Sequence, residues 1–219
     1  MSISAILLAG GKGHRMGSST PKQYLHLQEQ PDALFSFGCL SACASISEVV
    51  VVCEPIYRTY FQNCQFAEPG PRRQDSLKNG FRKASAQSEF ILIHDAARPF
   101  IDASLLDSLI EAGRLHGAAA LAVPAKATIK RAHSDFVIET LNRSELYEMQ
   151  TPQILRTDLL SKGLMRAEAL GVTVTDDVSL AELIGHPVKL IPGSEHNIKI
   201  TTPFDLSIAE AILSTTHDI

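Results

Sequence analysis

The chain has 219 residues, 45% of them hydrophobic, which is enough to bury a substantial core, most simply as one domain over 1–219. A formal charge of −4 and a pI near 6.1 leave no basic field for nucleic acid. No apolar run approaches the length of a membrane span, and the N-terminus lacks the charged segment of a signal peptide. The four cysteines (Cys39, Cys43, Cys53, Cys64) show no CxxC spacing, so a reduced cytoplasmic protein is expected.

Ser4–Ala9 is a short apolar run of the buried-strand kind that breaks into Gly10-Gly11-Lys12-Gly13. Leu34–Ala44 reads as a helix with one apolar side. Glu48–Cys53, with four consecutive valines, reads as a buried parallel strand. Pro55 then opens a helix to about Asn63, at a position where its missing N–H costs nothing. Asp75–Ser85 is helical, and Phe90–His94 is a further strand. Asp102 caps a helix whose Leu105, Leu106, Leu109 and Ile110 share a face, and Ala118–Val123 is the next strand.

Residues 124–150 are polar, with short alternating pieces around a Ser134-Asp135 turn. They read as a β-hairpin arm. Such an arm has little core of its own, and a second copy of the chain is the obvious cover. Arg156–Leu170 and the shorter Asp177–Ile184 are helical, while Val188–Ile191 and Ile198–Ile200 read as strands. Thr202-Pro203-Phe204-Asp205 starts the last helix with an N-cap, an N1 proline and an N3 acid. The sum is an α/β, doubly wound, mostly parallel sheet of six or seven strands with a projecting hairpin.

The glycine loop after the first strand, with Arg15 and Lys22 beyond it, reads as a nucleotide triphosphate loop. Glycines let backbone N–H groups approach a phosphate, and the cations neutralise what amides cannot. A P-loop is excluded because no Gly-Lys-Ser or Gly-Lys-Thr follows. The dinucleotide fingerprint fails because its third glycine falls one place late, at Gly17, and Ser18-Ser19-Thr20-Pro21 continues the loop instead of opening a helix. The competing reading is a plain turn with two surface cations.

Ligands of doubly wound sheets bind beyond the carboxyl ends of the strands. There the strand at Phe90 ends in His94-Asp95-Ala96-Ala97-Arg98-Pro99. Asp95 is the candidate Mg²⁺ ligand, since Mg²⁺ takes one or two carboxylates with phosphate oxygens and water. Its alternative is an ion pair with Arg98. Lys199 is either a site cation or an edge-strand lysine that blocks aggregation. The eight histidines lack HxH, HxxxH or cysteine partners, so His94 is expected to serve a structural role. No nucleophile stands out, which favours direct displacement at phosphorus driven by position and charge.

Leu8–Met16 with Pro21-Lys22-Gln23-Tyr24, then His94–Pro99, Thr151-Pro152-Gln153 and Asn197-Ile198-Lys199 follow in order across nearly the whole chain. Together they resemble the 2-C-methyl-D-erythritol 4-phosphate cytidylyltransferases of the non-mevalonate isoprenoid pathway. The resemblance implies a Rossmann-like nucleotidyltransferase domain, a homodimer formed through the β-arm, and use of Mg²⁺ with CTP. It implies that Ala9, Gly10, Gly11 and Gly13 cradle CTP, and that Arg15, Lys22 and Lys199 meet its phosphates. Asp95 and Ala96 then lie near the metal and ribose, and Gly70, Pro71 and Ser76 select cytosine. Arg98, Thr128, Thr151 and Thr175 would hold methylerythritol phosphate, with Arg143 reaching into the partner subunit's site.

Two departures stand out. Gly10 replaces a common alanine, which should be harmless because glycine only widens backbone access. Pro71 has no N–H to offer a pyrimidine. The sister ribitol 5-phosphate cytidylyltransferases share the first loop, and Ala96-Ala97 favours the isoprenoid enzyme over them. A nucleotide sensor that binds CTP without turnover is the non-enzymatic alternative.

Overall fold

The structure is a computed structural model that describes residues 2–11 and 20–216. The first half runs β1 (Ile3–Leu8), β2 (His26–Leu27), β3 (Gln30–Pro31), α1 (Asp32–Ala42), β4 (Glu48–Val52) and β5 (Gln65–Ala67). It continues through α2 (Arg73–Lys83), β6 (Phe90–Asp95), α3 (Ala103–His116) and β7 (Ala118–Pro124). The arm is β8 (Lys130–His133) and β9 (Phe136–Thr140). The remainder is β10 (Tyr147–Arg156), α4 (Thr157–Leu170), α5 (Ser179–Glu182), β11 (Lys189–Pro192) and α6 (Pro203–Thr216).

One seven-stranded sheet runs in the order β11-β7-β10-β6-β1-β4-β5. Its pairs are parallel except where β10 lies antiparallel between β6 and β7. Alternation along the strands builds a core on each face. Ile3, Ala5 and Leu7 of β1, with Val49, Val51, Phe90 and Leu92, pack toward Leu40 of α1 and Leu106, Leu109 and Ile110 of α3. Ile6, Val50, Val52, Ile91 and Ile93 pack on the other face with Leu77 of α2 and Leu160, Leu164 and Ala167 of α4. Helices on both faces explain the unbroken apolar strands.

Several expected elements differ in detail. Pro55–Tyr60 is a 3₁₀ helix, not an α-helix. No ladder forms at Ile198–Ile200; the Ile200 N–H instead donates to the Ala97 carbonyl at 2.8 Å, so Lys199 is not an edge-strand lysine. The β10 strand was not anticipated, nor was β5. By contrast, Asp102 caps α3 by accepting from the Leu105 N–H at 2.9 Å. Asp205 likewise accepts from the N–H groups of Thr201 and Thr202 at the start of α6. The arm turns at Ser134 and Asp135, both at positive φ (46° and 67°), as the primed turns of tight hairpins require.

The parallel register sets Leu8 of β1 opposite Val52 and Asp95. The carboxyl ends of three strands therefore share one edge. A third small cluster of Leu27, Ile200, Ala209 and Leu213 docks α6 beside that edge and brings the 198–200 segment over it.

Candidate active site

A cavity of about 810 Å³ opens at this edge, within the size range of small-ligand sites. Gly10 and Gly11 form one wall, and the loop from Pro69 to Arg73 with Ser76 forms another. Lys22, Glu54, Asp95 and Lys199 supply its charged lining together with the arginines of that loop. The first wall is held from behind. Gln23 Nε2 donates to the carbonyls of Ala9 (2.7 Å) and Gly11 (2.9 Å), and the Tyr24 hydroxyl donates to that of Ala9 at 2.9 Å. Tyr24 is itself stacked on Tyr57, with ring centroids 3.8 Å apart. The Pro-Lys-Gln-Tyr segment thus fixes the glycine loop's backbone and carries Lys22, whose Nζ donates to the Ile200 carbonyl at 2.5 Å.

The walls fit closely. A Cβ added at Gly10 would lie 2.4 Å from Pro69 Cβ, and one at Gly70 would lie 2.4 Å from Asp75 Cβ. Real Cβ atoms do not approach so closely. Glycine at position 10 leaves free the room that the Pro69 ring occupies and that a methyl group would need. The Gly70 N–H donates to Ser76 Oγ at 3.0 Å, so the two expected base contacts are first of all partners of each other.

Asp95 stands at the floor, where three donors from two side chains reach its carboxylate. Arg73 reaches its Oδ1 through Nη2 (2.7 Å) and Nε (3.0 Å), and Lys199 Nζ reaches Oδ2 at 2.5 Å. The Asp95 backbone N–H donates to Thr151 Oγ1 at 3.0 Å. Burial pushes the Asp95 carboxyl up, but Arg73 and Lys199 outweigh it and hold the group far below the usual carboxylate range. The alternative weighed for Asp95, an ion pair with Arg98, does not form. Arg98 instead donates to the carbonyls of Asn197 (2.6 Å) and Met149 (3.3 Å).

His94 and Thr151 form a relay behind the floor. The carbonyl of Arg98 can only accept, so the His94 Nε2 facing it at 3.0 Å carries the proton. Nδ1 is then an acceptor and takes the Thr151 hydroxyl proton at 3.0 Å. Thr151 Oγ1 in turn receives the Asp95 N–H. Burial pushes the imidazole down to about 4, so this neutral tautomer persists at pH 7. His94 fills the structural role expected of it.

Eight of the expected residues line the cavity together: Gly10, Gly11, Lys22, Gly70, Pro71, Ser76, Asp95 and Lys199. Ala9 and Ala96 are buried just behind it, with the Ala96 N–H donating to the Leu8 carbonyl at 3.1 Å. Gly13 and Arg15 lie outside the described residues. Thr151 is 4% exposed and outside the lining, and its hydroxyl oxygen lies between the Asp95 N–H and His94 Nδ1. Arg98 lies beside the cavity, and Thr175 is exposed in the loop before α5. Thr128 and Arg143 are exposed on the arm, where Arg143 Nη1 donates to the Lys126 carbonyl at 2.8 Å.

Sequence reasoning missed Arg73 and Asp177. The Arg73 guanidinium also binds Asp177, through Nη1 to Oδ1 (2.6 Å) and Nη2 to Oδ2 (2.8 Å). The available signal was a cation in the loop opposite the glycines, just where a helix begins. Among the described residues no cluster of three or more histidine, cysteine or acidic side chains forms a metal cage. One ionised carboxylate beside a phosphate-sized space fits Mg²⁺, which keeps water and takes phosphate oxygens, provided Lys199 yields Oδ2.

The IspD family model, described as 2-C-methyl-D-erythritol 4-phosphate cytidylyltransferase, matches residues 3–215. A relative bearing that name from the chloroplast of rice is 45% identical, over 97% of this chain and 75% of its own length. Another from Chlamydia pneumoniae is 43% identical, over 96% and 98%. A crystal structure of 4-diphosphocytidyl-2C-methyl-D-erythritol synthase from Anaerococcus prevotii superposes with a TM-score of 0.86 at 30% identity, covering 97% of this chain and 96% of that one. The cytidylyltransferase from Thermus thermophilus gives 0.82 at 28%, over 95% and 98%. Matched along nearly its full length in both sequence and fold, the chain belongs to the 2-C-methyl-D-erythritol 4-phosphate cytidylyltransferase family.

Proposed function

We propose that this chain transfers the cytidylyl group of CTP to 2-C-methyl-D-erythritol 4-phosphate, giving 4-diphosphocytidyl-2-C-methyl-D-erythritol and pyrophosphate. The observation that carries this reading is the convergence of Lys22, Lys199 and Arg73 with one carboxylate, Asp95, between two glycine-bearing walls. Few ligands other than a polyphosphate use such a set. A phosphate oxygen of the sugar phosphate attacks the α-phosphorus in line. The new P–O bond forms there as the bond to the β-phosphate oxygen breaks, and pyrophosphate carries away the electron pair.

Both reactants are anions, so the protein's task is to let them meet. Lys22 and Lys199, with Arg15 as the third cation, neutralise the charge that develops on the α- and β-phosphates. Lys199 must leave Asp95 Oδ2 to do so. Asp95 is the residue that would hold Mg²⁺, which would supply neutralisation of phosphate charge there. With the Gly70 N–H bonded to Ser76 Oγ and the Ser76 hydroxyl donating to the Arg72 carbonyl at 3.3 Å, the Gly70 carbonyl is the group left to read cytosine. Ser76 joins it by turning its proton away from Arg72.

The sugar phosphate lies toward Arg98 and Thr175, and the site is completed by Thr128 and Arg143 from the arm of a second copy. The arm supports a homodimer: Phe136, Val137 and Ile138 are 79%, 62% and 55% exposed, more apolar surface than a two-stranded ribbon carries alone. The four cysteines are free thiols, in keeping with a reducing cytoplasm.

Pyrophosphate release tests the reading. CTP and Mg²⁺ are supplied with either methylerythritol 4-phosphate or ribitol 5-phosphate. Release with the first and background with the second is expected. Faster release with ribitol 5-phosphate would reassign the substrate, and CTP binding without release from either would make the chain a nucleotide sensor.

A further inference from the structure

We infer that Arg73 is a positioning residue, which aims Asp95 into the nucleotide cavity and is itself aimed by Asp177. This rests on the cytidylyltransfer reading above. The guanidinium uses its two edges differently. One edge, Nη1 and Nη2, docks on both oxygens of Asp177 at 2.6 and 2.8 Å. The other, Nε and Nη2, takes a single oxygen of Asp95, at 3.0 and 2.7 Å. Oδ2 of Asp95 is thereby left on the cavity side, where Lys199 meets it.

Asp177 is a fixed anchor. Its side chain is 1% exposed, and its backbone N–H donates to Gln153 Oε1 of β10 at 2.9 Å. Because the guanidinium is planar, fixing one edge on Asp177 fixes the plane presented to Asp95, which an ammonium cannot do. Arg73 also begins α2, directly after the loop that holds Gly70. It thus ties the base-facing loop to the end of β6. When Lys199 moves to a phosphate, Asp95 loses one of its two cationic partners. Arg73 is the partner that remains and keeps the carboxylate from swinging.

The test uses the full-length enzyme with Arg73→Lys, and with the double variant Arg73→Gln plus Asp177→Asn. The double variant removes the Arg73 and Asp177 charges together and keeps hydrogen-bonding groups in their place. Three quantities are read: melting temperature, CTP affinity with Mg²⁺ by calorimetry, and kcat and KM for each substrate. Positioning predicts that both variants fold, and that CTP affinity and kcat/KM for CTP fall roughly tenfold to a hundredfold, the range for residues that orient a ligating group. KM for methylerythritol phosphate should change much less. A purely structural role predicts that activity tracks the melting temperature and that both substrates suffer alike. A folded double variant with unaltered CTP affinity, or failure of both variants to fold, would overturn the proposal. Wild-type turnover, measured in parallel, tests the cytidylyltransfer reading separately, because CTP affinity reports on Arg73 even if the acceptor is misassigned.

Discussion

Asp32 is the least comfortable side chain in the fold, and replacing it with asparagine should change how stability depends on pH. It opens α1, is fully buried, and neither carboxyl oxygen has a hydrogen-bond partner. Burial pushes its pKa from 3.8 up to about 8, against an opposing pull from Lys22. A negative charge at a helix N-terminus is favoured by only about 0.3–1 kcal/mol, too little to offset that desolvation. The folded form therefore keeps a proton that the unfolded chain releases above 3.8. Stability is fullest below that value and is lost as pH rises toward 8.

His94 works with the opposite sign, because its pKa drops from 6.5 to about 4 on folding. Protonation of the unfolded chain costs stability below 6.5, and the effect is flat above. Between pH 6.5 and 8 the Asp32 contribution therefore stands alone of the two. At about 1.4 kcal/mol per pH unit, levelling off near 8, the wild type should lose about 1.5–2 kcal/mol across this window. Urea unfolding of wild type and Asp32→Asn at both pH values measures it. The variant should lose about 1.5–2 kcal/mol less than the wild type across the window, whereas parallel losses in the two proteins would refute the assignment of the buried proton to Asp32.

Two further outcomes follow from the geometry of the site and arm. Gly10→Ala forces a methyl group against Pro69, a strain of about 1–3 kcal/mol, and should raise KM for CTP. Adding Pro69→Gly should recover it, and a wild-type KM in the single variant would show that the walls give way. If the arm joins two copies as proposed, the wild type should sediment as a dimer and Phe136→Asp as a monomer that loses turnover, because Arg143 would have no neighbouring site to complete; a wild-type monomer or an active variant monomer would refute the proposed dimer site.

The layered fold was legible because both faces of the sheet are covered. Val49–Val52 and Phe90–Ile93 can be apolar throughout only if helices lie above and below. The strand β10 was not legible, for an equally physical reason. Gln150, Thr151 and Gln153 are polar and Pro152 lacks an N–H, a composition that argues against a central strand. Here the register against β7 shifts between Met149 and Gln153, so the proline falls where the ladder is already interrupted. The polar residues are buried because they have work there: Thr151 holds the Asp95 backbone, and Gln153 Oε1 accepts from the N–H groups of Asp177 and Val178.

The site divides along the same line. Residues that leave a strand end with the chain, such as Gly10, Gly11 and Asp95, can be placed from sequence, because the sheet edge is fixed by topology. Pairings between such residues cannot. Spacing put Arg98 beside Asp95, yet two backbone carbonyls, those of Asn197 and Met149, take the Arg98 guanidinium. The partners that Asp95 does have come from the start of α2 and from the segment before α6. Those two cations, with Asp95 and Asp177, sum to zero formal charge before any ligand arrives. From this cluster an arriving triphosphate gains a positive partner by drawing Lys199 off Asp95, while Arg73, gripping a second carboxylate with its other edge, has less freedom to follow. The division of labour between the two cations is set by how many anions each one holds, a property of the folded chain that no motif spells out.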